Sequence, residues 1–325
     1  MSKLTLMEHV IAYLTLGMLC GIYQLVLVLY PLLVFFMVRY RSIPAGVLFA
    51  GLLAITVVPI SHKPQFWFLK SRIWKLWLAY FDFTMDVSSI KGKLKKSEKY
   101  LFWEAPHGIW PIGQFLSAAL IPKITGVDFE DQMICGTAAD AVFLFPFVRH
   151  VMSWLGTHSV QRKGFAKLFK AGYWGAVVAG GIAEMFLSSQ TREGMFIKKR
   201  RNTVKMAIQE GAHIIPAFFF GSSRAFHVVG GIDDGKEASY LSKVLSRLSR
   251  TLKASIVLFY GRHYLPVPMR TPIKMVSGNI IRLTQCDDPS DEEVQRVLDL
   301  VISEFEALYA SDKKPAWEGR PLVMT

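Results

Sequence analysis

The residue best placed to do chemistry is His107, in the run Glu104-Ala105-Pro106-His107-Gly108-Ile109-Trp110-Pro111. Pro106 fixes its own φ and biases the residue before it towards an extended conformation, and Gly108 lets the backbone come close to a ligand. The imidazole is therefore presented at a chain bend, and it titrates near enough to neutral pH to act as a general base. Just upstream, Tyr100-Leu101-Phe102-Trp103 reads as a short buried strand. His107 then falls at a strand's carboxyl end, where α/β sheets place their chemistry. A lone histidine beside aromatics is also a common satisfied core group, so its neighbours in space must decide.

A second constellation follows the apolar run Ala176-Val177-Val178-Ala179: Gly180-Gly181-Ile182-Ala183-Glu184. Glu184 and Glu104 are the candidate carboxylates for orienting the other ring nitrogen of His107. Glu184 is preferred, because its glycine preface puts it after a strand that could abut the first; its alternatives are capping a helix or pairing with an arginine. Gly180 and Gly181 can offer amides to a developing oxyanion or simply make a tight turn. Familiar catalytic patterns are missing: there is no Gly-x-Ser-x-Gly elbow, His-Glu-x-x-His helix, P-loop or Gly-x-Gly-x-x-Gly fingerprint. Five other histidines, His150, His158, His213, His227 and His263, show no metal spacing, and no metal is expected.

Positioning these groups requires a sheet. Apolar runs at 213–220, 256–260 and 273–283 add to the two above as strands, and 164–171, 201–210 and 240–252 read as helices between them. The last helix is the clearest: Val294, Val297, Leu298, Val301, Ile302, Phe305, Leu308 and Tyr309 form one apolar face, with Ser290 and Glu293 as a capping box. The alternation predicts an α/β domain with a mainly parallel sheet. Residues 315–325 read as a surface-docked tail.

Residues 10–38 contain no charge, and after Arg39-Tyr40-Arg41 a second uncharged run covers 42–61. Each run can cross a core of about 30 Å, which predicts a two-span helical hairpin, with a re-entrant wedge in one leaflet as the alternative. Lys3, Lys63, Lys70, Arg72 and Lys75 outnumber Arg39 and Arg41 in the turn, which places the termini in the cytosol. The expected organisation is 1–62 as membrane hairpin, 63–98 as connecting segment with an aromatic interfacial helix over 66–83, and 99–325 as cytosolic catalytic domain. Core packing is the competing reading of 66–83. A chain of 325 residues, 52% hydrophobic and of mean hydropathy +0.31, fits one anchor plus one globular domain. Its net charge of +13 suits anionic lipid or a phosphorylated co-substrate. With an anchor present, nucleic acid is not expected as a partner. The three cysteines, Cys20, Cys135 and Cys286, have no redox spacing.

Taken in order, these blocks resemble the diacylglycerol acyltransferase type 2 family, its plant and algal members among them, over nearly the whole chain. That family has a hydrophobic hairpin, then His-Pro-His-Gly or Glu-Pro-His-Ser; here the block is Glu104-Ala105-Pro106-His107-Gly108, followed by Trp110-Pro111-Ile112-Gly113. The family's Gly-Gly-x-x-Glu resembles Gly180 to Glu184, and its basic helix and following strand resemble Lys199-Arg200-Arg201-Asn202 through Phe220-Gly221. Arg149 in Pro146-Phe147-Val148-Arg149-His150 resembles a further arginine of the pattern. Ala105 stands where the family's first histidine would be, and Arg200-Arg201-Asn202-Thr203 stands for its Arg-Lys-Gly-Phe, departing most at Asn202 and Thr203. The His-x-x-x-x-Asp signature common in glycerolipid acyltransferases is absent, since Ile112 stands at its aspartate position.

The resemblance implies a glycerolipid-acyltransferase-like α/β domain that transfers an acyl group from acyl-CoA to the hydroxyl of diacylglycerol. A monoacylglycerol or a long-chain alcohol would be the alternative acceptor, and a noncatalytic lipid-binding protein a more distant one. It implies His107 as base, with Pro106 and Gly108 shaping the turn. Arg149, Lys199, Arg200 and Arg201 would be the places to look for the CoA phosphates. Acyl-CoA enters as co-substrate, with no bound cofactor. The implied setting is the endoplasmic reticulum bilayer, with the lipid-droplet surface as a second location; homo-oligomerisation stays open.

Overall fold

The computed structural model describes residues 4–178, 180–232, 237–311 and 320–325. Seven strands form its main sheet: β1 Thr84–Asp86, β2 Lys99–Ala105, β3 Ile134–Ala138, β4 His158–Ser159, β5 Trp174–Val177, β6 Ala212–Phe220 and β7 Lys274–Ser277. Their spatial order is β1-β7-β6-β2-β5-β3-β4. Every neighbouring pair is parallel except β6 with β7. β2 and β6 lie side by side near the middle and are buried along almost their whole length. Burial on both faces is why they read as unbroken apolar runs and not as alternating ones.

The longer helices are α1 Leu6–Tyr40, α2 Ile43–Val57, α3 Ile73–Tyr80, α4 Arg162–Lys170, α5 Arg201–Glu210, α6 Tyr240–Leu252 and α7 Asp291–Ser311. α7 lays its predicted face on β6 and α5, with Val297, Leu298, Val301 and Phe305 fully buried. Half of its expected capping box is present, Ser290 Oγ accepting from the Glu293 N–H at 3.2 Å, while the Glu293 carboxylate turns to Arg296. The expected strands at 256–260 and 273–283 shrink to Phe259–Tyr260 and β7. Past Ser277 the chain leaves the ladder and returns to β6 at a single bridge between Ile281 and Ile214.

The aromatic stretch 66–83 is core, not an interfacial helix. It breaks into Phe66–Leu69 and α3, and Phe68, Trp74, Trp77, Tyr80 and Phe81 are all buried. Trp74 packs 4.9 Å from Phe115, and the Trp77 indole donates to Thr15 Oγ1 at 2.9 Å. Trp67 remains 62% exposed. The described part of the tail is likewise inserted more deeply than expected: Leu322–Met324 pairs in parallel with Glu193–Met195, and the Arg320 side chain is 8% exposed. Residues 315–319 of that expectation lie outside the described residues.

The first two-thirds of α1 belong to the domain. Ala12, Leu16 and Cys20 have no exposed surface and join the main core. A Cβ on Gly17 or Gly21 would come within 2.7 Å of Val267 or Pro266, so the glycines permit this close approach. The Tyr23 hydroxyl donates to the Ser255 carbonyl, and Gln24 Nε2 donates to that of Phe259 at 2.6 Å. Beyond this, Leu33 packs with Ala45 and Leu52 of α2. By length and composition α1 can cross a membrane. The second expected span is not shown: the 15 residues of α2 rise about 22 Å, short of a hydrocarbon core of about 30 Å.

Candidate active site

β2 delivers His107 two residues beyond its last paired residue, with the parallel strands β5 and β6 on either side. Three carboxyl ends of strands thus meet at one place. The Ala105–Pro106 peptide is cis, and Gln114 Nε2 donates to the Pro106 carbonyl at 2.6 Å. Gly108 has φ +59°, and a Cβ there would sit 3.3 Å from Ser223 Cα, so only glycine fits the turn. His107 Nδ1 lies 2.9 Å from the Gly108 carbonyl oxygen. That acceptor assigns the proton to Nδ1 and leaves the lone pair on Nε2. Burial lowers the imidazole pKa below its usual 6.5, against the pull of the Gly108 carbonyl, and the nearby Arg200 charge lowers it further. The ring is a neutral base at pH 7.

Glu184, in the turn of helix after β5, works on backbone and not on the ring. One carboxylate oxygen accepts the His107 backbone N–H and the other accepts the Phe196 N–H at 3.0 Å. It therefore pins two strand-end loops together. Gly180 makes room for it, since a Cβ there would lie 1.9 Å from Glu184 Oε2. The Gly180 carbonyl accepts from Arg200 Nη2, whose guanidinium rests 4.8 Å over the Phe196 ring. Burial pushes the Glu184 pKa up to about 7, partly offset by its two N–H donors. Glu104 is 7% exposed, and burial alone pushes it up to about 8. A carboxyl at that value is largely protonated at pH 7 and can donate a hydrogen bond.

A cavity of about 600 Å³ opens on His107, Glu104, Gly181 and Arg200, with mostly apolar walls that include Tyr23 of α1. Its size is in the range of roughly 300–1,000 Å³ usual for small-molecule sites. Pro106, Gly108 and Gly180, expected to touch substrate, do not line it. Of the four expected cations only Arg200 reaches it. Arg149 donates from Nη1 to the carbonyls of Ile55 and Val58 at 2.8 and 2.7 Å, closing the end of α2. Arg201 pairs with Asp291 at 2.8 Å, tying α5 to the start of α7. Lys199 is exposed, its Nζ 6.0 Å from the Phe196 ring centroid. Two cations absent from the sequence reading do line the cavity, Arg250 and Lys253 at the end of α6. The signal for Arg250 was available: Lys243, Arg247 and Arg250 recur at helical spacing along one edge.

The family model described as diacylglycerol acyltransferase matches residues 45–317. The chain belongs to the diacylglycerol acyltransferase family. Among its relatives, diacylglycerol O-acyltransferase 1 of Eremothecium gossypii is 26% identical over 280 residues, 83% of this chain and 60% of that protein. The chain thus spans less than two-thirds of that relative's length. The 2-acylglycerol O-acyltransferase 1 of Bos taurus is 25% identical over 256 residues, 74% of this chain and 73% of that one. Among solved structures, the 1-acyl-sn-glycerophosphate acyltransferase PlsC of Thermotoga maritima aligns with TM-score 0.41 at 12% identity, covering 89% of this chain and 97% of that one.

Proposed function

We propose that this protein transfers a fatty acyl group from acyl-CoA to the free hydroxyl of diacylglycerol, forming triacylglycerol, with His107 as general base. The observation that carries this is that His107 lines a large apolar cavity while its Nδ1 is held by the Gly108 carbonyl, which leaves Nε2 as the basic nitrogen. An alcohol is a weak nucleophile at neutral pH, so Nε2 takes its proton as the oxygen attacks the thioester carbonyl. The tetrahedral intermediate then collapses, the C–S bond breaks, and the imidazolium returns its proton to the departing thiolate. General-base action supplies typically 10²- to 10⁴-fold, and holding both lipids in one cavity supplies much of the rest. Arg200 and a protonated Glu104 are the groups beside the cavity that can steady the oxyanion. Glu184 acts as a positioning residue by fixing the backbone of the His107 turn.

α1 and α2 set the base beside the bilayer, and the brevity of α2 favours the re-entrant arrangement on a cytosolic face of the endoplasmic reticulum. The bovine relative supports a second reading in which monoacylglycerol is the acceptor. Purified protein given labelled acyl-CoA and a panel of diacylglycerol, monoacylglycerol and long-chain alcohol should yield triacylglycerol fastest, and His107→Ala should remove nearly all product while leaving the thermal melt unchanged. Full activity in that variant would sink the assignment of the base. A wild-type protein that binds acyl-CoA and acylates nothing would sink the enzymatic reading.

A further inference from the structure

A second cleft, of about 730 Å³, shares Arg250 with the first and is more polar and more basic. Arg192, Lys243, Arg247 and Arg250 line it, against one carboxylate among the described residues, Glu237, which Lys243 already pairs at 2.7 Å. Arg250 lines both this cleft and the cavity of His107.

The sequence of α6 explains the arrangement. Ser242 and Ser249 are 3% and 0% exposed, and such small side chains let the helix lie close on the domain. Leu241, Val244, Leu248 and Leu252 stay exposed along a second edge. Lys243, Arg247 and Arg250 occupy the third, which faces the cleft. Across from them, the Arg192 carbonyl is held by Arg320 Nη2 at 2.8 Å, which fixes the backbone that carries the Arg192 side chain.

We propose that this cleft takes the phosphorylated nucleotide end of the acyl donor, with the acyl chain entering the apolar cavity past His107. This rests on the acyl-CoA reading above. The donor's head carries a pyrophosphate and a 3′-phosphate, roughly four negative charges at neutral pH. The reaction cavity offers fewer free donors: one arm of Arg200 is spent on the Gly180 carbonyl, and its other cations are Lys253 and the shared Arg250. Three guanidinium groups and an ammonium in the adjoining cleft can meet that charge, because planar N–H forks bind phosphate oxygens in pairs. Arg250, common to both spaces, marks the passage from phosphate to thioester.

The test uses the full chain in nonionic detergent, with adenosine 3′,5′-bisphosphate as probe in titration calorimetry. The wild type should bind it, Arg192→Glu with Arg247→Glu should weaken binding about tenfold or more, and the matching lysine variant should keep most of it. KM for acyl-CoA should rise in parallel while kcat stays within about twofold, the pattern expected when only uniform binding is lost. Melting curves check that the reversed-charge variant is folded, and the lysine variant serves if it is not. No nucleotide binding by the wild type, or equal binding by the charge-reversed protein, overturns the proposal. So does an effect confined to capture by phosphatidylserine vesicles, which would assign the same cations to lipid headgroups. Nucleotide binding that depends on these cations, in a protein that acylates no acceptor, would support the cleft while refuting the transfer reaction.

Discussion

Glutamine at position 104 should flatten the alkaline side of the stability profile. The Glu104 carboxyl sits on β2, 7% exposed, with no hydrogen-bond partner among the described residues, and burial alone raises its pKa from 4.5 to about 8. A folded-state pKa above the unfolded one means that the protonated group's contribution is fully present below pH 4.5 and is lost as pH rises through 8. At about 1.4 kcal/mol per pH unit, tapering as pH reaches the folded-state pKa, moving from pH 6 to pH 8 removes roughly 2 kcal/mol. Glu104→Gln keeps the shape and has no proton to lose, so its melting temperature should gain on the wild type by roughly 5 °C across that interval. Tryptophan fluorescence melts of both proteins in the same detergent at pH 6 and pH 8 measure the difference. A gap that stays constant to within about 1 °C would refute the reasoning, because it would mean that water in the cavity solvates the carboxylate. If the protonated acid also steadies the oxyanion, wild-type kcat should fall above pH 8 while that of Glu104→Gln does not.

Arg320→Ala removes the cation from the nearly fully buried Glu193, whose Oε2 it meets at 3.0 Å, and should cost about 3–5 kcal/mol in chemical denaturation. Gly180→Ala puts a methyl into the Glu184 carboxylate; it should cost about 1–3 kcal/mol and lower kcat by misplacing the His107 turn, measured by melting and turnover together. Arg149→Gln should loosen the end of α2, seen as faster proteolysis after residue 57, and leave KM for acyl-CoA unchanged because its guanidinium serves the Ile55 and Val58 carbonyls.

What was legible in the sequence was whatever depended on local pattern. The buried central strands, α4 to α7 and the bend at His107 all followed from periodicity, glycine and proline. What was not legible depended on which surfaces meet. Glu184 was correctly placed beside His107, but a spacing cannot tell whether a carboxylate grips a ring or the backbone N–H behind it. Arg149 and Arg201 look like Arg200 in the chain; only tertiary packing sends them to the α2 carbonyls and to Asp291. The aromatics of 66–83 fit a membrane interface as well as a core, and the choice fell to α1 and Phe115, which cover them from afar.

α1 has a mechanical consequence, because the helix that docks on the domain runs on through Pro31 to the segment that packs against α2. The face that docks through Ala12, Leu16 and Cys20 and the face that meets α2 through Leu33 are locked in phase by helical geometry. Each residue added between them would turn the outer half by about 100° and lift it by about 1.5 Å. The height and bearing of α2 relative to the cavity are therefore set by counting residues, as a threaded rod sets the height and angle of whatever it carries.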